Sequence, residues 1–426
     1  MAAPADPTAA GRRSTFSRTH QADWLVLNLN HNMLISLGAF DRFNFGDLMF
    51  PHVLDEVARD TATGPVLHYA LRDADMTRYG GVRPLATTGR HAVPFNVHAA
   101  SGLAVILGGG EILGATWGAA AASLLPVPLD LALLAVRQLI SCRLFDAIGK
   151  LGMRGQWPTP YLPDPDTAEQ CVLVANAIGA SSLDTLDHDT RESVLQTLRM
   201  AQYVSVRDAT GRALLEREGI PATLAPDSVA ILARMYRPTR PPADSTLVFQ
   251  CSSTWIRSRM RSTVDALTTL SRQFARISFL PIGLAGGHDD QQALRIIRRC
   301  LPPAVRSRVD FVVPATVWDI AETIAGGSLF VGTSLHGNIA AMAYAVPSVG
   351  LEGVRKLSAY LATWGDGLTP IDVGPVGMQD AVQRALGGDP RRYAARAERL
   401  ADESWANTRR VLRCAAGLPG WREDPT

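Results

Sequence analysis

Short apolar runs of strand length alternate with helix-length stretches along most of the chain, and that alternation restricts the fold more than any other feature. In the first half the runs are Trp24-Leu-Val-Leu-Asn-Leu29, Ala104-Val-Ile-Leu107, Cys171-Val-Leu-Val174 and Tyr203-Val-Ser-Val206. Helical stretches intervene, one starting near Asp47 and others over Asp189–Ala201 and Ala209–Glu218, the last stopped by Gly219. Strands that alternate with helices build a parallel sheet covered on both faces. The proline-bearing stretch Arg234-Met-Tyr-Arg-Pro-Thr-Arg-Pro-Pro-Ala-Asp244 interrupts the pattern, as a linker would. The alternation then resumes with strands at Thr246–Phe249, Ile277–Leu280, Val309–Val313 and around Leu329, and helices over Ser262–Phe274, Asp290–Leu301 and Ala315–Ala325. A long helix over Arg391–Ala416 closes the chain.

A chain of 426 residues exceeds one ordinary core, so two domains are expected. The expected fold is α/β, two Rossmann-like, doubly wound lobes with a cleft between them. The divisions are a tail over 1–21, an N-terminal lobe over 22–235, a linker over 236–244, a C-terminal lobe over 245–388, and a terminal helix with its tail over 389–426. In such sheets ligands sit outside the carboxyl ends of the strands, so strand-to-helix junctions are where function is sought.

Bulk properties narrow the classes. Net charge is +2, from 42 basic and 40 acidic residues, which gives no nucleic-acid signature. The 5 cysteines are scattered without a CxxC, so neither a zinc site nor a disulfide framework is suggested. Reduced thiols and an N-terminal stretch without an apolar signal region point to the cytoplasm. Ile112 to Leu129 carries no charge but is broken by Gly114, Gly118, Pro126 and Pro128, which suits a buried loop and helix better than a membrane span. The terminal-helix arginines Arg391, Arg392, Arg396 and Arg399 read as a solvated face, with peripheral contact to an anionic membrane left open.

Four junctions carry chemistry-bearing residues. Gly332-Thr-Ser-Leu-His-Gly337 joins a strand to a helix, whose N-terminus offers free amides to an anion. Thr333 or Ser334 supplies the cap. His336 is a poor helix former at a helix start, and its imidazole suits proton transfer or anion pairing. Gly337 permits close approach to the backbone. Ser205-Val-Arg-Asp208 puts Arg207 at a strand end, where its fork suits phosphate or carboxylate; a neighbour pair with Asp208 or a surface ion pair is the plainer alternative. Phe43-Asn-Phe-Gly-Asp-Leu48 leads into the first helix, with Asp47 either its cap or a base. Leu107-Gly-Gly-Gly-Glu111 is a glycine turn without dinucleotide spacing. Pro226-Asp227 reads as a turn, Glu352 as a rim charge, and Gly286-Gly-His-Asp-Asp290 as a capped loop rather than a metal site.

Taken in order, Asn44-Phe-Gly-Asp47, Gly108-Gly-Gly110, Ser205-Val-Arg-Asp208, Pro226-Asp227 and Ser334-Leu-His-Gly337 with Ala345-Val-Pro-Ser348 resemble the polysaccharide pyruvyl transferase family over roughly residues 24 to 366. The resemblance implies two lobes of glycosyltransferase-B type and transfer of the carboxyethylidene group of phosphoenolpyruvate onto two hydroxyls of a sugar, as in exopolysaccharide synthesis, with no metal and no cofactor beyond that co-substrate. It places Arg207, Ser334, Leu335, His336 and Gly337 on the donor, with His336 and Asp47 catalytic. It places Asn44, Gly46, Asp47, Gly109, Gly110 and Glu111 on the side of the acceptor, a sugar or glycan that is lipid-linked in one of several readings. Many members have arginine where this chain has Ser334. That leaves an anion contact to be supplied by Arg355, Lys356, Arg257 or Arg259. The alternatives are a nucleotide-sugar glycosyltransferase or epimerase, which would use Glu352 on a ribose, and a non-catalytic glycan-binding scaffold.

Overall fold

A computed structural model of the chain describes residues 32–61, 63–92, 102–125, 140–239, 245–284 and 290–419. The expected tail, the Trp24–Leu29 strand, the Gly286–Asp289 loop, the end of the linker and the end of the uncharged stretch after Leu125 lie outside the described residues.

Two parallel sheets form the scaffold. The first has seven strands: β1 (Met33–Leu37), β2 (Val66–Ala70), β3 (Leu85–Ala86), β4 (Leu103–Leu107), β5 (Val172–Ile178), β6 (Tyr203–Val206) and β7 (Thr223–Leu224). Their order is β3-β2-β1-β4-β5-β6-β7, every described pairing being parallel. The second has five: β8 (Thr246–Gln250), β9 (Arg276–Phe279), β10 (Val309–Phe311), β11 (Leu329–Gly332) and β12 (Ser348–Gly350), in the order β10-β9-β8-β11-β12. The strand order reverses direction between β1 and β4 in one lobe and between β8 and β11 in the other. Chains leaving such a pair of strands diverge and open a crevice at their carboxyl ends.

The continuous apolar runs behave as expected of strands with both faces covered: Leu103–Leu107 and Thr246–Gln250 are buried throughout. Four helices place the residues that matter here. Helix α1 (Phe45–Thr61) follows β1, α2 (Leu335–Ala343) follows β11, α3 (Arg355–Trp364) follows β12, and α4 (Pro390–Ala415) ends the described chain. Pro51 lies inside α1; having no N–H, it leaves the Asp47 carbonyl without its helical donor.

The lobes meet through apolar packing. Phe45, Leu48, Met49 and Phe50 of α1 share one core cluster with Val317, Ile320, Leu335 and Ile339 of the second lobe. Asn44 forms an antiparallel bridge with Gly283 across the same boundary. Each fully buried Phe, Leu or Ile contributes about 1.5–3 kcal/mol relative to exposure, so this boundary holds the lobes in register.

The terminal helix does not stand apart. Val411, Leu412, Cys414 and Ala415 of α4 pack with Leu34, Val53, Ala104 and Val174 of the first lobe, and Asn407 donates to Asn176 at 2.8 Å while accepting from Tyr203 at 2.8 Å. The second lobe therefore returns its last helix to cover the first lobe's sheet. This also corrects the arginine stripe. Arg396 is buried and donates to Gly365 O and Thr369 Oγ1, both at 3.0 Å, and Arg399 pairs with Asp366 and Glu403. Only Arg391 and Arg392 of the four remain exposed. No helix among the described residues is long and apolar enough to cross a membrane.

Candidate functional site

The site lies where the carboxyl ends of the two sheets face each other. From the first lobe come Asp47 after β1, Glu111 after β4, Arg207 after β6 and Asp227 after β7. From the second come His336 after β11 and Lys356 after β12.

Arg207 is the hub. Its Nη2 donates to Glu111 Oε2 at 2.6 Å and its Nη1 to Asp227 Oδ2 at 3.3 Å, with the arginine side chain 1% exposed. Burial by itself would lower the arginine pKa, but the Glu111 and Asp227 carboxylates hold it above its ordinary value. Both carboxylates are depressed despite burial, Glu111 by Arg207 and the Ser182 hydroxyl, Asp227 by His336 and Arg207. Glu111 also accepts from Ser181 Oγ and Ser182 N, each at 2.9 Å. A Cβ at Gly179 would collide with both Glu111 and Arg207. Trp364 Nε1 of α3 donates to the Arg207 carbonyl at 2.8 Å, tying the strand end to the second lobe.

His336 approaches the hub from that lobe. Its Nε2 lies 3.5 Å from Asp227 Oδ2, farther than an ordinary hydrogen bond. Phe50 meets the imidazole edge-on at 5.6 Å between centroids. Opposite, the Gly46 backbone is so close that a Cβ there would overlap the ring. Carboxylate, phenyl ring and glycine backbone thus fix the imidazole from three directions, and its side chain keeps 13% of its surface open.

Asp47 and Lys356 complete the cluster without a partner. Neither makes a hydrogen bond or ion pair among the described residues, and both are half-buried. Burial raises the Asp47 pKa, a rise that His336, Arg42, Lys356 and Arg207 offset only in part. Burial, followed by Arg207, lowers that of Lys356. Gly110, at φ +79°, lets the chain after β4 pass Asp47, with a hypothetical Cβ 3.2 Å from its Oδ1. Gly109, at φ +96°, clears Phe50 in the same way.

Several sequence expectations change in detail. Arg207 is not an open guanidinium: two carboxylates already take its charge, and neither is its neighbour Asp208, which caps the helix over Ala209–Arg217 through Gly211 N. Ser334 caps α2, accepting from Gly337 N at 3.1 Å. Leu335 is buried in the interlobe core, and the groups that approach Gly337 closely are Phe330 and Ile282, so neither side chain position opens to a ligand. Asp227, read as a turn, does cap one through Val229 N at 3.0 Å, but its other oxygen serves Arg207 and His336. The dipeptide Pro-Asp carries the turn signal strongly, and nothing local in it reports the second duty. Of the four cations offered in place of the family arginine, Arg259 is held by Glu352 at 2.7 Å, which also occupies Glu352, while Arg257 and Arg355 are exposed. Lys356 alone of the four joins the cluster.

The arrangement combines an imidazole positioned for proton transfer with a carboxyl and an amine that make no hydrogen bond or ion pair among the described residues, beside a core in which Arg207 is already held by two carboxylates. It can receive an anion at the amine and exchange protons with a hydroxyl-bearing molecule at the imidazole and carboxyl.

The family model for polysaccharide pyruvyl transferase matches residues 44–353, which encloses Asp47, Glu111, Arg207, Asp227 and His336 but not Lys356. No protein of curated function matches the chain by sequence. Among solved structures the chain is similar to the MnaA–UDP co-structure of S. aureus, at 8% identity over 90% of this chain and 95% of that one, with a TM-score of 0.55. It is also similar to a protein of Listeria monocytogenes described as a UDP-N-acetylglucosamine 2-epimerase, at 10% identity over 89% and 95% of the two chains, with a TM-score of 0.54. At such identities the likeness shows the fold alone, two Rossmann-like lobes of glycosyltransferase-B type.

Proposed function

The chain belongs to the polysaccharide pyruvyl transferase family, and from that premise we propose that it moves the carboxyethylidene group of phosphoenolpyruvate onto two hydroxyls of one sugar in a glycan or glycoconjugate. The observation that carries the reading is the meeting of His336 from one lobe with Arg207 from the other on a single carboxylate, Asp227.

The chemistry asks for what these residues offer. One sugar oxygen bonds to C2 of the donor while a proton is delivered to C3, turning the methylene into a methyl group. The second sugar oxygen then bonds to C2 as the C2–O bond to phosphate breaks, and its proton leaves with the phosphate. His336 is assigned the proton delivery, oriented by Asp227. Asp47, whose burial makes it a stronger base than an ordinary carboxylate, takes a hydroxyl proton. Lys356 meets the donor's phosphate or carboxylate in place of the cation missing at Ser334. Arg207 then acts from beneath, holding Asp227 and Glu111 ionised and in place. No cofactor enters this scheme.

The test compares ligands on the intact protein. Saturating phosphoenolpyruvate should raise the melting temperature, by about 2.7 kcal/mol of stabilisation at a hundredfold excess over Kd, and phosphate should be released in the presence of a glycan acceptor. Stabilisation by a UDP-sugar but not by phosphoenolpyruvate would replace this reading with nucleotide-sugar chemistry on the same fold.

A further inference from the structure

The helix over Cys142–Met153 lies away from the cluster and has two unlike faces. Its inner face is pinned: Phe145 and Gly149 are buried, a Cβ at Gly149 would strike the Trp117 backbone, and Asp146 accepts from Gly118 N at 2.8 Å. Its outer face carries Leu144, Ile148 and Leu151, exposed by 51%, 48% and 81%. These positions stand at i, i+4 and i+7, so they form one stripe along the helix. The other large exposed apolar residues among those described, Ile296, Val313, Val376 and Leu386, are scattered, two on different helices and two in loops.

The charges that the helix itself sets beside the stripe have one sign. Arg143, Lys150 and Arg154 fall along one flank, and Asp146, the helix's own acid, is turned inward. Arg143 has a remote partner in Asp187 at 3.8 Å; Lys150 and Arg154 form no ion pair among the described residues. An apolar stripe bordered by cations is the pattern of a helix that lies in the plane of a bilayer, because the apolar groups enter the acyl boundary while the cations meet anionic headgroups.

We propose that this outer face docks on the surface of an anionic lipid bilayer. The helix is linked to the cluster through one chain of contacts. It packs on the helix over Trp117–Ser123, and Ser123 is hydrogen-bonded by Arg42, whose charge reaches Asp47. The helix thus belongs to the first lobe, the one that carries Asn44 and Asp47. The inference concerns binding alone and stands whether or not the pyruvyl reading does.

Flotation of the full chain with vesicles is the experiment, comparing phosphatidylcholine alone with phosphatidylcholine mixed with phosphatidylglycerol. The wild-type chain should float with the anionic vesicles and not with the neutral ones. Leu151→Glu should weaken that binding by about tenfold or more, from the loss of one buried leucine. Arg143→Glu with Lys150→Glu should weaken it by a similar factor, with melting temperatures held near wild type as the folding control. Absence of wild-type flotation, or retention of it by Leu151→Glu, overturns the proposal. So does a fall in molecular mass by light scattering in Leu151→Glu, which would place a second copy on the stripe. Protection of Leu144 to Leu151 from solvent probes without vesicles would also overturn it, by placing another part of the chain there.

Discussion

Arg207 is bonded to two carboxylates, whereas Asp47 and Lys356, in the same cluster, make no hydrogen bond or ion pair among the described residues. The guanidinium has Glu111 and Asp227, and those carboxylates have serine hydroxyls, backbone amides and the imidazole besides. Asp47 and Lys356 are half-buried without a hydrogen bond or ion pair among the described residues, and burial pushes each toward its neutral form. A densely bonded network gives geometry, because breaking any one member leaves another exposed to a medium that cannot solvate it. An unsaturated pair gives reactivity, because its unmet demand is satisfied only when a ligand arrives. His336 sits on the border, held by the first group and facing the second.

The largest expected effect falls on that border. If His336 moves the proton to the donor, His336→Ala lowers phosphate release by about 10²–10⁴-fold while acceptor binding, read by calorimetry, stays near wild type. A variant turning over at the wild-type rate would leave the imidazole as a packing residue between Phe50 and Gly46.

On the saturated side the effect should appear as stability. Arg207→Met removes the guanidinium that bridges Glu111 and Asp227, and truncating one partner of such a buried network costs about 3–5 kcal/mol. Urea unfolding would read it as a lower midpoint at an unchanged slope. The pH sense is fixed by Asp227: its pKa is depressed in the fold, so the stability it contributes is present at neutral pH and disappears as pH falls through the folded value. Arg207→Met should flatten that acid limb. An unchanged midpoint would mean that solvent, not Arg207, balances the two carboxylates.

Gly46 tests how tightly the border is set. A methyl group there must displace the imidazole, and a misplacement of about 1 Å commonly costs about 10²-fold in rate. Gly46→Ala should thus lose activity through kcat, with a smaller loss of stability from overpacking, about 1–3 kcal/mol. Near-normal kcat would show that the ring has room to shift.

The two lobes and most strands are legible in the sequence because buried parallel strands read as unbroken apolar runs. Ala104–Leu107 and Thr246–Phe249 lie within observed strands, and helices start within a few residues of Asp47, Asp189 and Asp290. Strands β1, β2, β3 and β7 leave no such clean run in the sequence. Met33–Leu37 adjoins Leu29 in one polar-interrupted stretch, β2 carries His68 and Tyr69, and β3 and β7 are two residues long, too short for any periodicity. At the site, residues announced by a glycine or by an odd residue at a helix start (Gly46, Asp47, Arg207 and His336) are all brought together. Asp227 hid behind a turn signal. The cation near Ser334 stayed unresolved among four candidates, since only tertiary packing separates Lys356 from the exposed Arg355 beside it. The paired state of Arg207 was equally out of reach, because Glu111 and Asp227 come from strands far apart in sequence.

The smallest effects should run in the opposite direction to those at Arg207. Asp47 has a raised pKa in the fold, so the stability it contributes is present at low pH and is lost as pH rises through the folded value. Lys356 has a lowered one, so its charged form at neutral pH is a cost to folding. Replacing either by a neutral side chain of similar shape, Asp47→Asn or Lys356→Met, should therefore raise stability at neutral pH, by about 0.5–2 kcal/mol as single stabilising substitutions usually do. Lys356→Met should at the same time erase the melting shift given by phosphoenolpyruvate, and Asp47→Asn should keep that shift but slow turnover. The gain of Asp47→Asn over wild type should shrink as the buffer is made more acidic, where the native carboxyl is already protonated. Melting curves across a pH series decide it: if Asp47→Asn melts below wild type at neutral pH, Asp47 has a stabilising partner after all, and the contrast between the two halves of the cluster fails there.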